Sequence, residues 1–213
     1  MRDKITIRTQ MRHRRQALSS LEQTTLSNII VEKILTLTAF QSAKSIGLYQ
    51  AFQNEVNLDA LWEIAAKSQK TTSFPVISTD KKCHDMVFKS LDFAEALRFD
   101  ALKWNHFQIK EPTQSAPTTP LETIDCLFVP LLAFDTKGYR LGMGKGYYDR
   151  LLARVKSFQN HQIIGVAYDF QKVDTLPHDS WDIPLDMVVT ENHIYFYENS
   201  EPMSFIAMND NDE

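Results

Sequence analysis

The chain has few cysteines, few glycines and no long apolar run, and each shortage argues against a class of protein. Its two cysteines, Cys83 and Cys126, lie far apart and form no CxxC pair, which argues against a disulfide scaffold and a cysteine zinc site. Reduced thiols fit a cytoplasmic setting. The absence of an eighteen-residue apolar run argues against a membrane-spanning helix. The first residues lack the apolar segment of a secretory signal, so we expect none.

Charge is distributed unevenly along the 213 residues. The net charge is −4, yet residues 1–15 carry +5 and residues 201–213 carry −4. Hydrophobic residues make up 43% and charged residues 23%, a mixture typical of a folded soluble domain. We therefore expect one domain over residues 1–200 and an acidic, flexible tail over 201–213. A basic segment on an acidic protein favours a locally bound anion over a nucleic-acid duplex.

Helical and strand patterns alternate along the chain. Apolar runs predict strands at 45–50, 71–77, 86–91, 125–134, 162–168, 187–190 and 194–197. Helices are predicted at 4–18, 58–66 and 146–155, and another begins at Ser19, where Glu22 completes a capping box. This alternation predicts an α/β fold, a three-layer sandwich in which a mostly parallel sheet has helices on both faces. Ligands of such sheets bind beyond the carboxyl ends of the strands.

Four of the six glycines fall within nine residues, between the strongest predicted strand and a helix. The segment reads Asp135-Thr-Lys-Gly-Tyr-Arg140-Leu-Gly-Met-Gly-Lys145-Gly-Tyr-Tyr-Asp149. Closely spaced glycines let backbone N–H groups face a ligand, and the N-terminus of the following helix adds partial positive charge. Arg140 and Lys145 supply full positive charges. The spacing matches neither GxxxxGKS/T nor GxGxxG, so the segment predicts a polyphosphate site of another kind.

One long motif joins the predicted strand to this segment. Val129-Pro-Leu-Leu-Ala-Phe-Asp135 continues into Arg140-Leu-Gly-Met-Gly-Lys-Gly-Tyr-Tyr-Asp149. This run closely resembles the characteristic sequence of the 5-formyltetrahydrofolate cyclo-ligase family, the methenyltetrahydrofolate synthetases. Further matches in family order are Lys4 with Arg8, the run 46–50 with Glu55, Glu111-Pro112, Leu176-Pro177 and Trp181-Asp-Ile-Pro-Leu-Asp186. The resemblance covers roughly residues 4–197.

The resemblance implies an enzyme, an ATP-dependent ligase that converts 5-formyltetrahydrofolate into 5,10-methenyltetrahydrofolate with release of ADP and phosphate. The formyl oxygen is a poor leaving group, so the γ-phosphoryl group of ATP is transferred to it, N10 of the folate attacks, and phosphate departs. The protein then acts mostly by positioning and charge stabilisation. The implied partners are small molecules, with neither nucleic acid nor membrane, in a monomeric cytoplasmic enzyme.

The resemblance also implies roles for individual residues. The implied catalytic residues are Arg140 and Lys145. The implied ATP-binding residues are Lys4, Arg8, Arg140, Leu141, Gly142, Met143, Gly144, Lys145, Gly146, Tyr147 and Tyr148. The implied folate-binding residues are Gln50, Glu55, Met143, Gly144, Lys145, Gly146 and Tyr147, with Trp104 as a candidate for ring stacking. Mg²⁺ is the implied cofactor, with Asp149 and Asp186 as its carboxylate ligands, and ATP is the co-substrate.

Other interpretations stay open at this level. The glycine segment also fits an enzyme of another class that binds the phosphate of its own substrate. A third possibility is a module that binds single-stranded nucleic acid through the basic N-terminus and stacks bases on Tyr147 and Tyr148, although the acidic remainder of the chain argues against it. Arg12, Arg14 and Arg15 are predicted to form a solvated helix face, because runs of charge usually face solvent.

Overall fold

A computed structural model describes residues 3–77, 86–96, 101–156, 158 and 161–197. The predicted acidic tail and Cys83 lie outside these residues. The helices are α1 (Lys4–Gln16), α2 (Ser20–Thr36), α3 (Thr38–Ser42), α4 (Asp59–Lys67), α5 (Phe93–Ala96) and α6 (Tyr147–Val155). The strands are β1 (Ser45–Gly47), β2 (Thr71–Ile77), β3 (Met86–Ser90), β4 (Leu102–Trp104), β5 (Lys110–Pro112), β6 (Thr118–Thr119), β7 (Cys126–Pro130), β8 (Ala133–Phe134), β9 (Arg140–Leu141), β10 (Gln162–Val166), β11 (Met187–Val189) and β12 (Ile194–Phe196). No helix of the described ranges is long and apolar enough to cross a bilayer.

The central sheet has the strand order β12-β11-β10-β7-β1-β2-β3-β6. Its five inner strands, from β11 to β2, run parallel. The strands β12, β3 and β6 join antiparallel at the two sides of this parallel block. The prediction of a mostly parallel sheet is therefore confirmed, and the carboxyl ends of β1, β2 and β7 meet along one edge.

Side chains of the inner strands alternate between two apolar layers. In β7, Phe128 packs in a cluster with residues of α2, α3 and α4. Its neighbours Leu127 and Val129 pack on the other face, in a cluster with Leu151 and Leu152 of α6. Burying one such leucine side chain contributes about 1.5–3 kcal/mol. Helices therefore cover both faces of the sheet, as the predicted three-layer sandwich requires.

The predicted strand at 125–134 is interrupted after β7. The carbonyl oxygens of Leu131 and Leu132 accept hydrogen bonds from Nε2 of Gln171 instead of from a neighbouring strand, at 2.7 and 3.1 Å. The chain then forms the separate hairpin of β8 and β9. The buried carboxylate of Asp135 shapes the turn of this hairpin by accepting the N–H groups of residues 137 and 139. The hairpin brings the glycine segment back to the carboxyl edge of the sheet.

Helix α1 lies on this hairpin. It begins after Asp3, whose carboxylate accepts the N–H of Thr6. Residues 4–8 are rich in β-branched side chains, which lowers their helix propensity. Ile7 and Met11 lie one helical turn apart and are buried against β8 and β9. Because packing of an apolar stripe usually outweighs propensity, the predicted N-terminal helix forms.

Candidate active site

A cavity of about 400 Å³ opens at the carboxyl edge of the sheet. Its lining includes α1, residues at the ends of β2, β3 and β7, and Asp182, and two further parts of the chain supply most of it. The first part, residues 140–149, is called the glycine wall below. The second part, residues 49–55 with residues 105–110, is called the loop wall. The volume falls within the range of about 300–1,000 Å³ that is usual for small-molecule sites.

The glycine wall exposes backbone rather than side chains. Gly144 has φ +90° and Gly146 has φ +72°, a left-handed conformation that glycine adopts without strain. Gly146 is also the residue that precedes α6, and it provides no side-chain cap. The N-terminus of α6, the positive end of a helix, therefore lies in the cavity wall with no side-chain cap from Gly146. This arrangement suits a phosphate group.

Arg140 is the buried cation of the glycine wall, with only 3% of its side chain exposed. Both of its terminal nitrogens donate to Oδ1 of Asp149 at 2.8 Å. Burial lowers the pKa of the Arg140 guanidinium, and Asp149 partly offsets this effect. The Nε atom of Arg140 is buried without a hydrogen-bond partner. A donor of this kind is ready to meet an oxygen atom of a ligand.

Helix α1 adds three more cations to the cavity. Nε of Arg8 donates to the carbonyl oxygen of Gly142 at 3.0 Å, which joins α1 to the glycine wall. Lys4 lies at the margin, with Nζ 3.1 Å from Asp179 and 3.8 Å from Asp182. Arg12 also lines the cavity. Together with Lys110, Arg140 and Lys145, these residues place six cationic side chains around one cavity, which favours a multiply charged anion.

The loop wall presents buried polar side chains. Nε2 of Gln50 is buried without a partner. Glu55 is buried, and one of its oxygens accepts the N–H of Phe52 at 3.1 Å. Burial raises the pKa of the Glu55 carboxyl, and the neighbouring Arg15 opposes that rise. The other carboxylate oxygen lies 3.4 Å from the Arg15 guanidinium.

The hairpin of β4 and β5 completes the loop wall. Oε2 of Glu111 accepts the N–H of Ile77 at 3.2 Å and Nδ2 of Asn105 at 3.0 Å, which ties the hairpin to the end of β2. Phe107 and Ile109 line the cavity from this hairpin. The Phe107 ring meets the Tyr147 ring of the glycine wall edge to face, with centroids 6.0 Å apart. The two walls thus touch through aromatic rings.

Trp104 does not belong to the cavity, contrary to the prediction. It is 63% exposed, and Nζ of Lys110 lies 5.3 Å from its ring centroid. Trp104 is the last residue of β4, and the turn that follows it carries Asn105, Phe107 and Ile109 to the cavity, with Lys110 at the start of β5. Phe107 is also an aromatic residue near Glu111, and its place in the turn is what brings it to the cavity.

Asp186 does not join Asp149, so that prediction is wrong as well. Its carboxylate accepts the N–H of Ile163 at 2.6 Å. Both residues stand at the amino ends of their strands, β11 and β10, at the edge away from the cavity. The carboxylate that lines the cavity is Asp182, four residues earlier. Both acids occur in the same quoted motif, and only the fold separates them.

The predicted solvated face of α1 is correct for one of its three arginines. Arg14 is exposed and stacks on Phe170, with the guanidinium carbon 4.6 Å from the ring centroid. Arg15, in contrast, is completely buried. Arg12 faces the cavity. The basic N-terminus is therefore directed largely inward, which removes the observation that suggested a nucleic-acid-binding surface.

The remaining predicted residues meet in the cavity. They are Lys4, Arg8, Gln50, Glu55, Arg140, Leu141, Gly142, Met143, Gly144, Lys145, Gly146, Tyr147, Tyr148 and Asp149. Sequence reasoning missed Phe52, Phe107, Ile109 and Asp182, which line the cavity from loops. Phe52 and Ile109 carry no local signal, whereas Phe107 is an aromatic residue near Glu111 and Asp182 belongs to the motif 181–186.

Comparison with known proteins agrees with this geometry. The model of the 5-formyltetrahydrofolate cyclo-ligase family matches residues 1–191. The chain is 37% identical to the 5-formyltetrahydrofolate cyclo-ligase of Haemophilus influenzae over 182 residues, 84% of this chain and 92% of the relative. It is 34% identical to the Mycoplasma pneumoniae cyclo-ligase over 191 residues, 89% of this chain and 99% of the relative.

Solved structures give the same result. The 5,10-methenyltetrahydrofolate synthetase of Aquifex aeolicus superposes with a TM-score of 0.77 at 33% identity, covering 96% of this chain and 98% of that one. The synthetase of Mycoplasma pneumoniae superposes with a TM-score of 0.70 at 32% identity, covering 89% and 99%. The chain belongs to the 5-formyltetrahydrofolate cyclo-ligase family.

Proposed function

We propose that the cavity binds ATP along the glycine wall and 5-formyltetrahydrofolate along the loop wall. The activity is that of the family, a ligase of folate one-carbon metabolism that forms 5,10-methenyltetrahydrofolate with ATP as co-substrate. One observation carries the assignment of the walls. Six cations and the N-terminus of α6 line the same cavity as the buried Glu55 carboxylate and the unpaired Nε2 atom of Gln50.

The nucleotide side follows from charge and backbone. A triphosphate needs several cations and several N–H donors at close range. Lys145, Arg8 and the Nε atom of Arg140 supply charge, and residues 142–148 supply backbone. Lys4 is paired with Asp179 and Asp182 at the cavity margin, so we expect it to exchange these partners for phosphate when ATP binds.

The folate side follows from polar groups in an apolar setting. A pterin ring carries N–H donors and ring acceptors along its edge and flat apolar faces. The Glu55 carboxylate would accept two of the N–H groups, and the Gln50 amide would donate to an acceptor. Phe107 and Tyr147 offer ring surfaces for the pterin or aminobenzoyl group, the role that the resemblance gave to Trp104.

Mg²⁺ fits the carboxylates that line the cavity. Asp149 and Asp182 both line the cavity, and the negative charge of each raises the pKa of Arg140. Carboxylate oxygens beside phosphate suit a hard cation that keeps most of its waters. We therefore assign the metal to Asp149 and Asp182 instead of to Asp186. When bound, the ion would neutralise charge on the phosphates and orient them.

The chemistry requires little of the protein beyond placement. The formyl oxygen attacks the γ-phosphorus and ADP leaves, which gives a phosphorylated N5-iminium group. N10 then attacks the formyl carbon, loses its proton, and the carbon–oxygen bond breaks with departure of phosphate. Arg140 and Lys145 stabilise the negative charge that moves between the phosphates and the transferred oxygen.

The test is a direct assay of product. Purified protein mixed with MgATP and 5-formyltetrahydrofolate should show a rise in the absorbance of the methenyl-folate. Omission of ATP or of Mg²⁺ should abolish the rise, and ADP should appear in equal amount. Well-folded protein that produces no methenyl-folate would contradict the proposal. We also expect a monomer located in the cytoplasm, which size-exclusion chromatography and cell fractionation would check.

A further inference from the structure

Arg15 is buried behind the loop wall and is not itself one of the residues that line the cavity. We propose that Arg15 is a positioning residue of this enzyme, which fixes residues 52–55 so that Glu55 and Phe52 face the folate. The inference rests on the proposed function, because it assumes that the loop wall binds the folate. It differs from a role in general stability, because it predicts an effect on one substrate and not on the other.

The guanidinium of Arg15 contacts three consecutive parts of this segment. Its Nε donates to the carbonyl oxygen of Gln53 at 3.0 Å, and Nη2 donates to that of Phe52 at 3.3 Å. Its Nη1 donates to Oε1 of Glu55 at 3.4 Å. The planar fork of arginine holds several acceptors in fixed directions, which the single ammonium of lysine cannot do.

The segment needs such support because its backbone is strained. Gln53 has φ +49° and Asn54 has φ +57°, backbone values that residues other than glycine rarely adopt. Asn54 also binds the C-terminal end of α1, because its Nδ2 donates to the carbonyl oxygens of Arg15 and Leu18 at 3.2 and 3.1 Å. Loop and helix therefore hold each other through hydrogen bonds from both sides.

Helix α1 carries this contact to the glycine wall. Arg8 lies seven residues before Arg15, about 10 Å along the helix axis. Its Nε donates to the carbonyl oxygen of Gly142. One rigid helix thus fastens the glycine wall at one point and the loop wall at another, which fixes how far apart the two substrates are held.

A simple structural ion pair is the competing explanation. Buried pairs often add little to stability, and apolar residues of similar size can replace them. Such a pair would affect both substrates equally or neither. Two substitutions separate the explanations, because Arg15→Lys keeps the charge beside Glu55 but loses the fork, whereas Arg15→Met loses both. Arg14→Lys and Arg14→Met are the matched controls, since Arg14 is the adjacent arginine outside the cavity.

The steady-state constants give the first readout. We expect Arg15→Lys to raise KM for 5-formyltetrahydrofolate about tenfold, the size expected for one charge-assisted hydrogen bond. KM for ATP should stay within twofold, and both Arg14 variants should behave like the wild type. Circular dichroism and thermal unfolding would verify that each variant is folded.

The pH profile gives the second readout. The charged and titratable groups that face Glu55 are Arg15 from α1, Tyr49 after β1, Tyr148 from α6 and Tyr168 after β10. Among these groups only Arg15 favours the ionised carboxylate, and the backbone N–H of Phe52 supports it. Arg15→Met should therefore move the acid limit of folate binding to higher pH, while Arg15→Lys should leave it in place. An ion pair that serves stability alone would change the pKa of Glu55 without moving the pH dependence of folate binding.

Asn54→Gly tests the same contact without touching the buried charge. Glycine tolerates the positive φ, and only the two hydrogen bonds to α1 are lost. KM for the folate should rise by about three- to fivefold, the size of one or two ordinary hydrogen bonds, with KM for ATP unchanged. This variant keeps the proposal testable if neither Arg15 variant folds.

The outcomes separate the two levels of inference. Wild-type protein that forms no methenyl-folate would overturn the proposed function and this inference with it. An active wild type whose Arg15→Lys and Asn54→Gly variants retain an unchanged KM for folate would overturn this inference alone. Equal increases in both KM values would also overturn it, because they would indicate a general structural role.

Discussion

The two walls of the cavity are built in different ways. The glycine wall is one continuous stretch of ten residues that presents backbone, with Arg140 and Lys145 as its cations. The loop wall combines two separate stretches and presents side chains, and residues as distant as Arg15 and Ile77 hold it in place. A wall formed by adjacent residues can be predicted from the sequence, whereas a wall assembled from distant segments is recognised only in the folded structure.

The largest effect should come from the buried cation of the glycine wall. Arg140→Met removes the guanidinium beside Asp149 and the unpaired Nε donor. We expect kcat to fall by about 10²–10³-fold, the usual cost of losing one preorganised charge donor. Single-turnover and steady-state kinetics would measure it. Arg154→Met on α6, outside the cavity, is the control. A kcat within twofold of the wild type for Arg140→Met would contradict the assignment.

The next effect is the pH dependence of folate binding, which the titratable Glu55 of the loop wall should cause. Burial raises the pKa of Glu55 above its ordinary value of 4.5. Because the ionised carboxylate is the acceptor for the pterin, folate binding should be complete above that raised pKa and weaken as pH falls through it, by about tenfold per pH unit.

The measurement is KM for the folate from pH 8 downward, over the range in which the protein stays folded. Glu55→Gln should bind weakly at neutral pH and lose this acid dependence, because the amide does not titrate. A wild-type profile that is flat through the acid range, or an identical slope in Glu55→Gln, would show that another group titrates.

A smaller effect should separate two aromatic residues of one hairpin. Phe107→Ala removes a ring that lines the cavity and meets Tyr147. We expect KM for the folate to rise roughly 3- to 10-fold, in line with about 0.5–1.5 kcal/mol for an aromatic contact. Trp104→Ala, which removes an exposed ring, should leave both KM values unchanged. The reverse result would restore Trp104 as the stacking residue.

The smallest effect concerns two glycines of the glycine wall. At Gly144 the φ of +90° and the Arg8 guanidinium, 3.4 Å from an added Cβ, make alanine unfavourable by about 1–2 kcal/mol. Gly144→Ala should therefore lower Tm by about 2–8 °C. An added Cβ at Gly142 meets nothing within 4 Å, so Gly142→Ala should leave Tm unchanged.

The same pair tests whether backbone wraps the phosphates. If it does, the methyl group of Gly142→Ala should raise KM for ATP although the free protein is undisturbed. Differential scanning fluorimetry and ATP titrations would provide both numbers. An unchanged KM for ATP would mean that the ligand does not approach the backbone there.

Local patterns predicted most of the fold. The strand 71–77 and the helix capped by Ser19 and Glu22 occur as predicted, since apolar spacing and a capping box are local signals. The short strands β4, β5 and β9 were missed because each has only two or three residues. The break after β7 was missed because its cause, the Gln171 amide, is distant in sequence.

The sequence predicted those parts of the site whose residues are adjacent in the chain, and it missed those that the fold brings together from distant segments. The residues from Arg140 to Asp149 are adjacent in sequence, and all ten line the cavity. Asp182 and Asp186 share one motif, and only the direction of β11 determines which of them reaches the cavity. Arg15 lies in a basic run that suggests solvent exposure, and only the return of the segment 52–55 buries it.

The central claim is that two walls bind two substrates, and equilibrium binding to two variants tests it most directly. Dissociation constants for a non-hydrolysable ATP analogue and for 5-formyltetrahydrofolate would be measured on Lys145→Ala and Glu55→Gln, with Lys137→Ala as the exposed-lysine control. We expect Lys145→Ala to weaken only the nucleotide and Glu55→Gln only the folate, each by about tenfold. Equal losses of both ligands in both variants would contradict the account.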